Sequence, residues 1–558
     1  MFPESLQPWL GAIIAWLELG FLVLVLLLTL VGLLLWIQDR FIQKKHAIRR
    51  NFPLVGRFRY FFEHMGEFFR QYFFAMDREE LPFNRAQRSW VYRAAKDLSN
   101  TSAFGSTKQI GAGRVVFMNC PYPTLAKNAA ETLPIMVGPH CEQPYVARSV
   151  FNVSGMSFGA LSRPAVQALS RGAAMANCWM NTGEGGLSPY HLEGGCDIVF
   201  QIGTARYGVR DSEGNLDDER LRQAAAHQQV KMFEIKLSQG AKPGKGGILP
   251  AGKVTDEIAA IRGIPAGQAS ISPNGQPDVH DADSLLDLIH KVRDVTGKPT
   301  GIKFVLGDSR WLEDLFLAIH ERGLESAPDF ITVDSGDGGT GAAPMSLMDD
   351  VGLYLAESLP QVVDLRDGYG LSDRIRIIAS GKLINPSMVA WAIAVGADFC
   401  VSARGYMFAL GCIQALQCNR NTCPTGVTTH NPRLQRGLVP EDKARRVAHF
   451  HDNLVKEVET IAHSCGVSEP RKLKRQHARM LNSNGESVPL DHLWPTVEAG
   501  IYLRSLGITP CILSLSGWFA PSAKVQRGAL LKACWLPLTF KERQQRVRTS
   551  LEDPEGAA

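Results

Sequence analysis

The sequence lacks the compositional extremes that define several classes of protein. Its formal net charge is only +5 over 558 residues, so it has no strong basic excess and no nucleic-acid partner is expected. A mean hydropathy of −0.06 excludes a multispan transporter, and a hydrophobic fraction of 45% excludes a disordered chain. The cysteine count, 11, is odd, which excludes a complete disulfide framework. No strand followed by Gly-x-Gly-x-x-Gly and a helix is found, so a separate NAD(P) domain is not indicated.

Long hydrophobic runs are also scarce, and the clearest lies near the amino terminus. Residues 20–37 carry no charge and, at about 1.5 Å per residue in a helix, approach the width of a bilayer core. Trp9, Trp16 and Trp36 are candidate interfacial anchors. Basic residues follow the run closely: Arg40, Lys44, Lys45, Arg49, Arg50, Arg57 and Arg59. The pattern predicts a single-pass membrane anchor with the rest of the chain in the cytoplasm, and the absence of basic residues before the run disfavours a cleaved signal peptide.

The composition changes again near residue 100, which suggests how the chain is divided. Residues 41–100 are rich in Phe and Arg, as expected for a helix on the membrane surface or one packed on the next domain. Beyond them, Gly, Pro and β-branched runs begin. We therefore expect an anchor over 1–40, a juxtamembrane linker over 41–100, a barrel over 101–440 and a C-terminal helical extension over 441–558.

Short apolar segments alternate with glycine-rich turns and helical patterns between residues 100 and 430. The predicted strands are 150–153, 178–181, 197–202, 232–236, 301–306, 330–333, 375–379 and 398–402. Eight such β/α alternations indicate an α/β fold, a closed parallel (β/α)8 barrel of the TIM type. Its chemistry is expected at the carboxyl ends of the strands.

Charged side chains and glycine-rich loops follow several of these strands. Glu184 lies in such a loop and is expected to project into the barrel mouth, while Lys236, Lys242, Arg206 and Lys303 would supply a positive field. A dicarboxylate substrate or a reduced, anionic flavin ring requires such a field. For any single lysine a solvated surface charge is the alternative interpretation. That alternative is weaker for Lys236 and Lys303, which lie within apolar strands.

The last two predicted strands lead into Ser380-Gly381 and Arg404-Gly405. Loops at these positions of a barrel commonly hold a phosphate through backbone N–H groups and a helix amino terminus. FMN would fit this arrangement.

Three cysteines, Cys412, Cys418 and Cys423, follow the eighth predicted strand, and the last precedes a proline. This spacing indicates an iron–sulfur site, either a three-iron cluster or a four-iron cluster with an outside ligand. A zinc site with His430 as fourth ligand is an alternative, as is a purely structural group of free cysteines.

Five ordered motifs within residues 100–440 resemble the FMN-binding synthase domain of glutamate synthase, and the closest resemblance is to stand-alone, membrane-anchored members of that family. They are 156–162, 181–186, 240–244, 337–341 and 423–427. The resemblance implies a barrel that binds FMN and a 3Fe-4S cluster and reduces the imine of 2-oxoglutarate and ammonia to L-glutamate.

The resemblance also implies roles for individual residues. Cys412, Cys418 and Cys423 would be the cluster ligands. Lys236 and Lys242 would face the flavin and the substrate carboxylates, and Glu184 would face the ammonia or imine. The implied cofactor-binding residues are Ser154, Met156, Ser157, Arg206, Lys303, Asp337, Gly338, Gly339, Ser380, Gly381, Arg404 and Gly405.

Partners follow from the same resemblance. The chain begins with the apolar segment instead of a glutaminase domain, so the expected nitrogen source is free ammonia or a separate amidotransferase subunit. The electron donor would be ferredoxin or a membrane carrier. Two alternatives stay open, namely an FMN and iron–sulfur dehydrogenase of another amine or amino acid that passes electrons to a membrane acceptor, and a non-catalytic electron-transfer subunit.

Overall fold

The computed structural model of the protein describes residues 7–128 and 132–506. The chain divides into two compact units, the first ending at Ala86 and the second beginning at Gln87. The expected linker, 41–100, thus runs into the second unit, and residues 507–558 of the expected C-terminal extension lie outside the described residues. The helices are α1 (Gln7–Ile37), α2 (Ala47–Asn51), α3 (Val55–Phe69), α4 (Arg85–Ala95), α5 (Arg163–Met175), α6 (Pro189–Leu192), α7 (Asp218–Ala226), α8 (Asp256–Arg262), α9 (Ala282–Thr296), α10 (Arg310–Arg322), α11 (Met345–Asp350), α12 (Leu355–Gly368), α13 (Pro386–Val395), α14 (Arg404–Leu410), α15 (Pro432–Gln435), α16 (Pro440–Ser464), α17 (Leu490–Leu493) and α18 (Ile501–Ser505). The strands are β1 (Val115–Phe117), β2 (Ile135–Val137), β3 (Tyr145–Ala147), β4 (Phe151–Val153), β5 (Met180–Asn181), β6 (Ile198–Ile202), β7 (Val230–Lys236), β8 (Ile248–Leu249), β9 (Ser270–Ile271), β10 (Thr300–Val305), β11 (Phe330–Asp334), β12 (Arg376–Ser380), β13 (Phe399–Ser402), β14 (Ala478–Leu481) and β15 (Ser487–Pro489).

The first unit is helical and contains the apolar segment. Within the described residues, Gly11–Ile42 is the one helical stretch long and apolar enough to cross a membrane, a test that a signal sequence also passes. A buried carboxylate fixes the bend that follows, because Asp39 accepts hydrogen bonds from Arg49 and Arg57 at 2.8 and 2.7 Å. Pairing with two guanidinium groups compensates for the burial of this charge.

Eight parallel strands of the second unit form a closed barrel in the order β4, β5, β6, β7, β10, β11, β12, β13. The barrel closes where β13 pairs with β4, with Cys400 opposite Phe151 and Ser402 opposite Val153. This confirms the predicted fold class and all eight predicted strands. Strands covered on both faces form nearly continuous apolar runs, and this is the signal that made them predictable.

A hairpin of β2 and β3 contributes to the apolar cluster at the amino-terminal end of the barrel. Its Tyr145 packs against Trp179, and Trp179 packs against Phe399, with ring centroids 6.3 and 5.0 Å apart. Trp179 and Phe399 lie where their strands begin, so this end of the barrel is closed by aromatic side chains.

Helices and a small second sheet surround the barrel. Ser162 caps the start of helix α5, because its hydroxyl accepts a hydrogen bond from the N–H of Ala165 at 3.3 Å. Helix α5 packs against α16. The expected C-terminal extension is helical over α16 but then contributes β14 and β15, which pair with β1 in an antiparallel sheet. In the sequence, β1 precedes the barrel strands whereas β14 and β15 follow them, so no local pattern indicates this pairing.

Candidate active site

Glu184, Lys236 and Lys242 meet at the carboxyl ends of β5 and β7. Nζ of Lys236 donates to Glu184 Oε2 at 2.6 Å, and Nζ of Lys242 donates to Oε1 at 3.3 Å. Both lysines are buried, whereas the Glu184 side chain is 20% exposed. Gly203 and Gly247 flank this carboxylate, and a Cβ at Gly203 would lie 2.6 Å from that of Glu184. The structure therefore brings the three expected catalytic residues into one site.

The charges of this site shift the pKa values of its own groups. Burial raises the pKa of Glu184, but the charges of Lys236 and Lys242 outweigh burial and hold it at about 2. Burial, together with the nearby charges of Lys242 and Lys303, lowers the pKa of Lys236 to about 8, although Glu184 opposes this shift. Lys236 is therefore an ammonium that can release a proton near neutral pH, while Glu184 stays ionised.

Lys303 lies one strand away, in register with Lys236. Its Nζ is 3.4 Å from Asp334 Oδ2, and Asp334 Oδ1 accepts a hydrogen bond from Ser380 Oγ at 2.8 Å. Burial alone lowers the pKa of Lys303, but the carboxylates of Asp334 and Glu234 raise it above its ordinary value. Lys303 thus remains a fixed cation next to the loop that begins at Ser380.

Glu234 is a buried carboxylate that the sequence analysis did not single out. It accepts hydrogen bonds from Asn181 at 2.8 Å and from Gln201 and Thr332 at 2.6 Å. Alternation along β7 places Glu234 and Lys236 on the same, inward face, so the Glu-Ile-Lys pattern contained the signal. A small cavity inside the barrel is lined by Ser154, Asn181, Glu234, Lys303 and Thr332, among others. Two of the expected cofactor-binding residues, Ser154 and Lys303, therefore line the same cavity as this carboxylate.

Met156 and Ser157 shape the loop that carries Glu184. Gly183 has φ +64°, and a Cβ there would lie 2.6 Å from the amide nitrogen of Ser157. This close approach requires glycine and sets the turn before Glu184. The expected cofactor-binding residue Arg206 has a different partner. Its buried guanidinium donates a hydrogen bond to Asp278 at 2.7 Å.

The loops after β11, β12 and β13 contact one another. A Cβ at Gly339 would lie 2.6 Å from Nη2 of Arg404, and Gly381, with φ +152°, lies against Ser335. Gly338 approaches Gly240 in the loop after β7, and Gly405 packs on Ser402.

Asp337 accepts a hydrogen bond from Ser335 and pairs with Lys382 at 2.7 Å. The residues expected around a phosphate are thus adjacent, and within the described ranges Arg404 has no carboxylate partner.

Cys412, Cys418 and Cys423 line one cavity, together with Arg404. In the described part of the chain no group of three His, Cys, Asp or Glu side chains is arranged to hold a metal ion, so the thiols share the cavity without forming a closed ligand set. Burial raises the pKa of Cys412 to about 11. Burial also acts on Cys423, but hydrogen bonds from Thr425 and Thr428 outweigh it and lower the pKa.

His430, the alternative fourth ligand for zinc, has a different partner. Its Nε2 lies 2.8 Å from the carbonyl oxygen of Gly159 and donates to it. This contact occupies that ring nitrogen, so the structure gives no support to a zinc site that uses Nε2 of His430.

A closed parallel barrel with lysines, a carboxylate and glycine-rich loops at its carboxyl end defines an α/β barrel whose charged residues lie where enzymes of this fold carry their active sites. The conserved region in glutamate synthase matches residues 115–468. Over 490 residues the chain is 38% identical to the glutamate synthase large subunit-like protein YerD of Bacillus subtilis, covering 81% of this chain and 93% of that protein. The chain therefore belongs to the glutamate synthase family.

Other relatives are shorter matches. The archaeal glutamate synthase (NADPH) of Methanocaldococcus jannaschii is 32% identical over 337 residues, covering 59% of this chain and 61% of that protein. Among solved structures, a crystal structure of mandelate oxidase is similar to this chain with 16% sequence identity and a TM-score of 0.41. The match covers 70% of this chain and 98% of the mandelate oxidase chain.

Proposed function

We propose that the protein forms L-glutamate by reducing the imine of 2-oxoglutarate and ammonia, with FMN and an iron–sulfur cluster. The contact of Glu184 with Lys236 and Lys242 carries this proposal. A substrate with two carboxylates needs fixed cations, and an imine nitrogen needs both an anion and a proton donor. The three side chains supply these groups within one site.

The chain's own residues divide the work of this reaction. FMN, when bound, supplies the hydride that reaches the imine carbon. Lys242 holds a substrate carboxylate, and Lys236, with a pKa of about 8, releases the proton that converts the reduced nitrogen to the amine. Glu184, ionised because its pKa is about 2, accepts hydrogen bonds from the N–H groups of ammonia or the imine. Hydride and proton together balance the conversion of C=N to CH–NH.

The residues around the barrel mouth fit FMN. Lys303, kept charged by Asp334, suits the anionic reduced ring. Arg404, with no carboxylate partner in the described ranges, suits the phosphate. Gly339 and Gly381 lie where the chain closes on Arg404 and Ser335, so their backbone N–H groups would be available to that phosphate.

The donor set around the cysteine cavity fits an iron–sulfur cluster. Thiolates of Cys412, Cys418 and Cys423 are the ligands that iron–sulfur clusters use, and three of them suit a 3Fe-4S cluster, or a 4Fe-4S cluster with an outside ligand. Gly341 lies in the loop after β11, and a Cβ there would be 3.4 Å from that of Cys418. This contact links the cysteine cavity to the loops expected to hold FMN.

The proposal includes location and partners. The segment Gly11–Ile42 anchors the protein in a membrane, with the catalytic unit in the cytoplasm. Ammonia is taken up free or comes from a separate amidotransferase subunit, and electrons come from ferredoxin or a membrane carrier. Extraction of the full chain from membranes by detergent, but not by alkaline carbonate, tests the anchor.

Anaerobic purification in detergent tests the chemistry. We expect flavin, iron and sulfide in the protein, and labelled L-glutamate after 2-oxoglutarate and isotopically labelled ammonium are added to the reduced form. Absence of both flavin and iron would contradict the proposal. Both cofactors without glutamate formation would favour the second candidate, a dehydrogenase of another amine or amino acid, and an amino acid would bring a carboxylate that the same lysines could bind.

A further inference from the structure

Lys253 is a buried lysine that contacts the cysteine loop, here defined as residues 412–428. It closes a 3-10 turn, Ala251–Lys253, between β8 and α8, and it is 2% exposed. Its Nζ donates to the carbonyl oxygens of Cys418 at 2.9 Å and Thr428 at 2.7 Å. A third, longer contact joins Nζ to the carbonyl oxygen of Ala160 at 3.4 Å. One ammonium group thus ties both sides of the cysteine loop to the loop after β4.

A second contact holds the same turn against the cysteine loop. Nδ2 of Asn421 donates to the carbonyl oxygen of Gly252 at 3.3 Å. Asn421 also accepts hydrogen bonds from Thr429 at 2.6 Å and from the N–H of His430 at 2.7 Å. The turn that carries Lys253 is therefore held against the cysteine loop by this further hydrogen bond as well.

Among the residues that the structure describes, no acidic side chain pairs with the charge of Lys253. Within the described residues no carboxylate lies at ion-pair distance, and the three acceptors of Nζ are neutral carbonyl groups. A buried cation without a counter-ion is costly in free energy. Two of these carbonyl groups belong to the cysteine loop, and one is that of Cys418, which lines the cysteine cavity. The cysteine cavity is thus the place where an anion would compensate this charge.

We infer that Lys253 is the counter-charge and the positioning residue for an anionic iron–sulfur cluster held by the cysteine loop, and that it raises the reduction potential of that cluster. The inference rests on the iron–sulfur centre of the proposed function. Reduction adds one electron to a centre that thiolate ligands already make negative. A fixed cation that is hydrogen-bonded to the backbone of Cys418, one of the three expected cluster ligands, therefore favours the reduced state.

The chain offers a matched control in Lys298. This lysine is 4% exposed, and its Nζ also donates to three backbone carbonyls, those of Ala225, His227 and Val230. It lies just before β10, at the amino-terminal end of the barrel, whereas the cysteine loop follows β13. Lys253→Met and Lys298→Met remove the same charge and a similar set of hydrogen bonds from two different places.

The test is a redox titration of the anaerobically purified full chain with dithionite, followed by electron paramagnetic resonance, with iron content and thermal unfolding measured in parallel. For Lys253→Met we expect reduction at least tenfold less favourable than in the wild type, about 59 mV for a one-electron couple. Lys253→Arg keeps the charge and should stay near the wild-type potential. Lys298→Met should lose stability but leave the potential unchanged.

Several outcomes separate the possibilities. An unchanged potential in Lys253→Met with full iron content would overturn the inference, as would an equal shift in Lys298→Met. If Lys253→Met loses its iron, retention of iron by Lys253→Arg and Lys298→Met supports the positioning role, and loss in all three overturns it. Wild-type protein without iron would instead refute the cluster of the proposed function.

Discussion

The two ends of the barrel are built from the same eight strands but carry opposite chemistry. At the amino-terminal end, Tyr145, Trp179 and Phe399 form an aromatic closure. At the carboxyl end, the buried Lys236 and Lys242 and the carboxylate of Glu184 form a charged site. The aromatic closure gains free energy by excluding water, whereas the charged site removes ions from water and persists because its charges are paired.

The residues that stabilise the barrel and the residues that carry its chemistry therefore lie at opposite ends of the strands. Substitutions at the amino-terminal end should change the free energy of unfolding and leave the reaction intact in folded molecules. Substitutions of the charged site should lower the rate, and they should change the free energy of unfolding only through the lost charge pairing. Four predictions, in decreasing order of expected effect, test whether this separation holds.

Removing the proton donor should produce the largest effect. Lys236→Met is expected to slow glutamate formation by about 10³-fold, which corresponds to about 4 kcal/mol of transition-state stabilisation. The measurement is a single turnover of the reduced protein with 2-oxoglutarate and ammonium. Lys291→Met, which removes an exposed lysine on α9 paired with Asp218, is the control and should stay within about twofold of wild type. A loss of rate of less than about tenfold in Lys236→Met would contradict the assignment of the chemistry to the charged site.

Truncating the aromatic closure should act on stability instead. Phe399 is fully buried against Trp179, so Phe399→Ala is expected to lower the free energy of unfolding by about 3 kcal/mol through the lost burial and the cavity left behind. Denaturant unfolding gives this value, and the single-turnover rate per bound flavin should match wild type. A rate that falls as far as that of Lys236→Met would show that the two ends are coupled.

Acid should weaken the charged site within a defined range of pH. The pKa of Glu184 is about 2 in the folded protein against an ordinary value of 4.5. A carboxyl whose pKa is lowered by folding contributes stability above its unfolded pKa and loses it as pH falls through the folded value, so about 2 kcal/mol should disappear between pH 4.5 and 2. The measurement is thermal unfolding across this range.

Two variants isolate the contribution of Glu184 from those of other carboxylates. Glu184→Gln should flatten the pH dependence over this window. Glu219→Gln, which changes an exposed glutamate paired with Arg222, should keep the wild-type dependence. Identical curves for both variants would mean that the lysine pair does not lower the pKa of Glu184.

The smallest effect should come from a residue of the carboxyl end that lies outside the charged site. Ser162 caps α5 through the N–H of Ala165, so Ser162→Ala is expected to lower the free energy of unfolding by about 1 kcal/mol. Its single-turnover rate should equal that of wild type. A large loss of rate would indicate that the whole carboxyl end, and not the charged site alone, supports the chemistry.

The sequence predicted what depends on local pattern and missed what depends on distant contacts. Strands buried on both faces were recognisable as apolar runs, and Glu184, Lys236 and Lys242 were recognisable because they lie at the end of such strands or in the loops that follow. The contact of β1 with β14 and the position of Lys253 against Cys418 arise from segments far apart in the chain. The partner of Arg206, Asp278, lies in a loop that no motif marks. Roles of the expected cofactor-binding residues stay predictions.

The most direct test of the central claim is rapid mixing of the anaerobically reduced protein with 2-oxoglutarate and ammonium, with flavin absorbance and L-glutamate followed together. Pyruvate with ammonium serves as the matched substrate, because it lacks the second carboxylate that the lysines of the charged site would hold. We predict rapid flavin oxidation and stoichiometric L-glutamate with 2-oxoglutarate, and slow oxidation with pyruvate. Equal rates with both acids, or flavin that stays reduced with 2-oxoglutarate, would contradict the account.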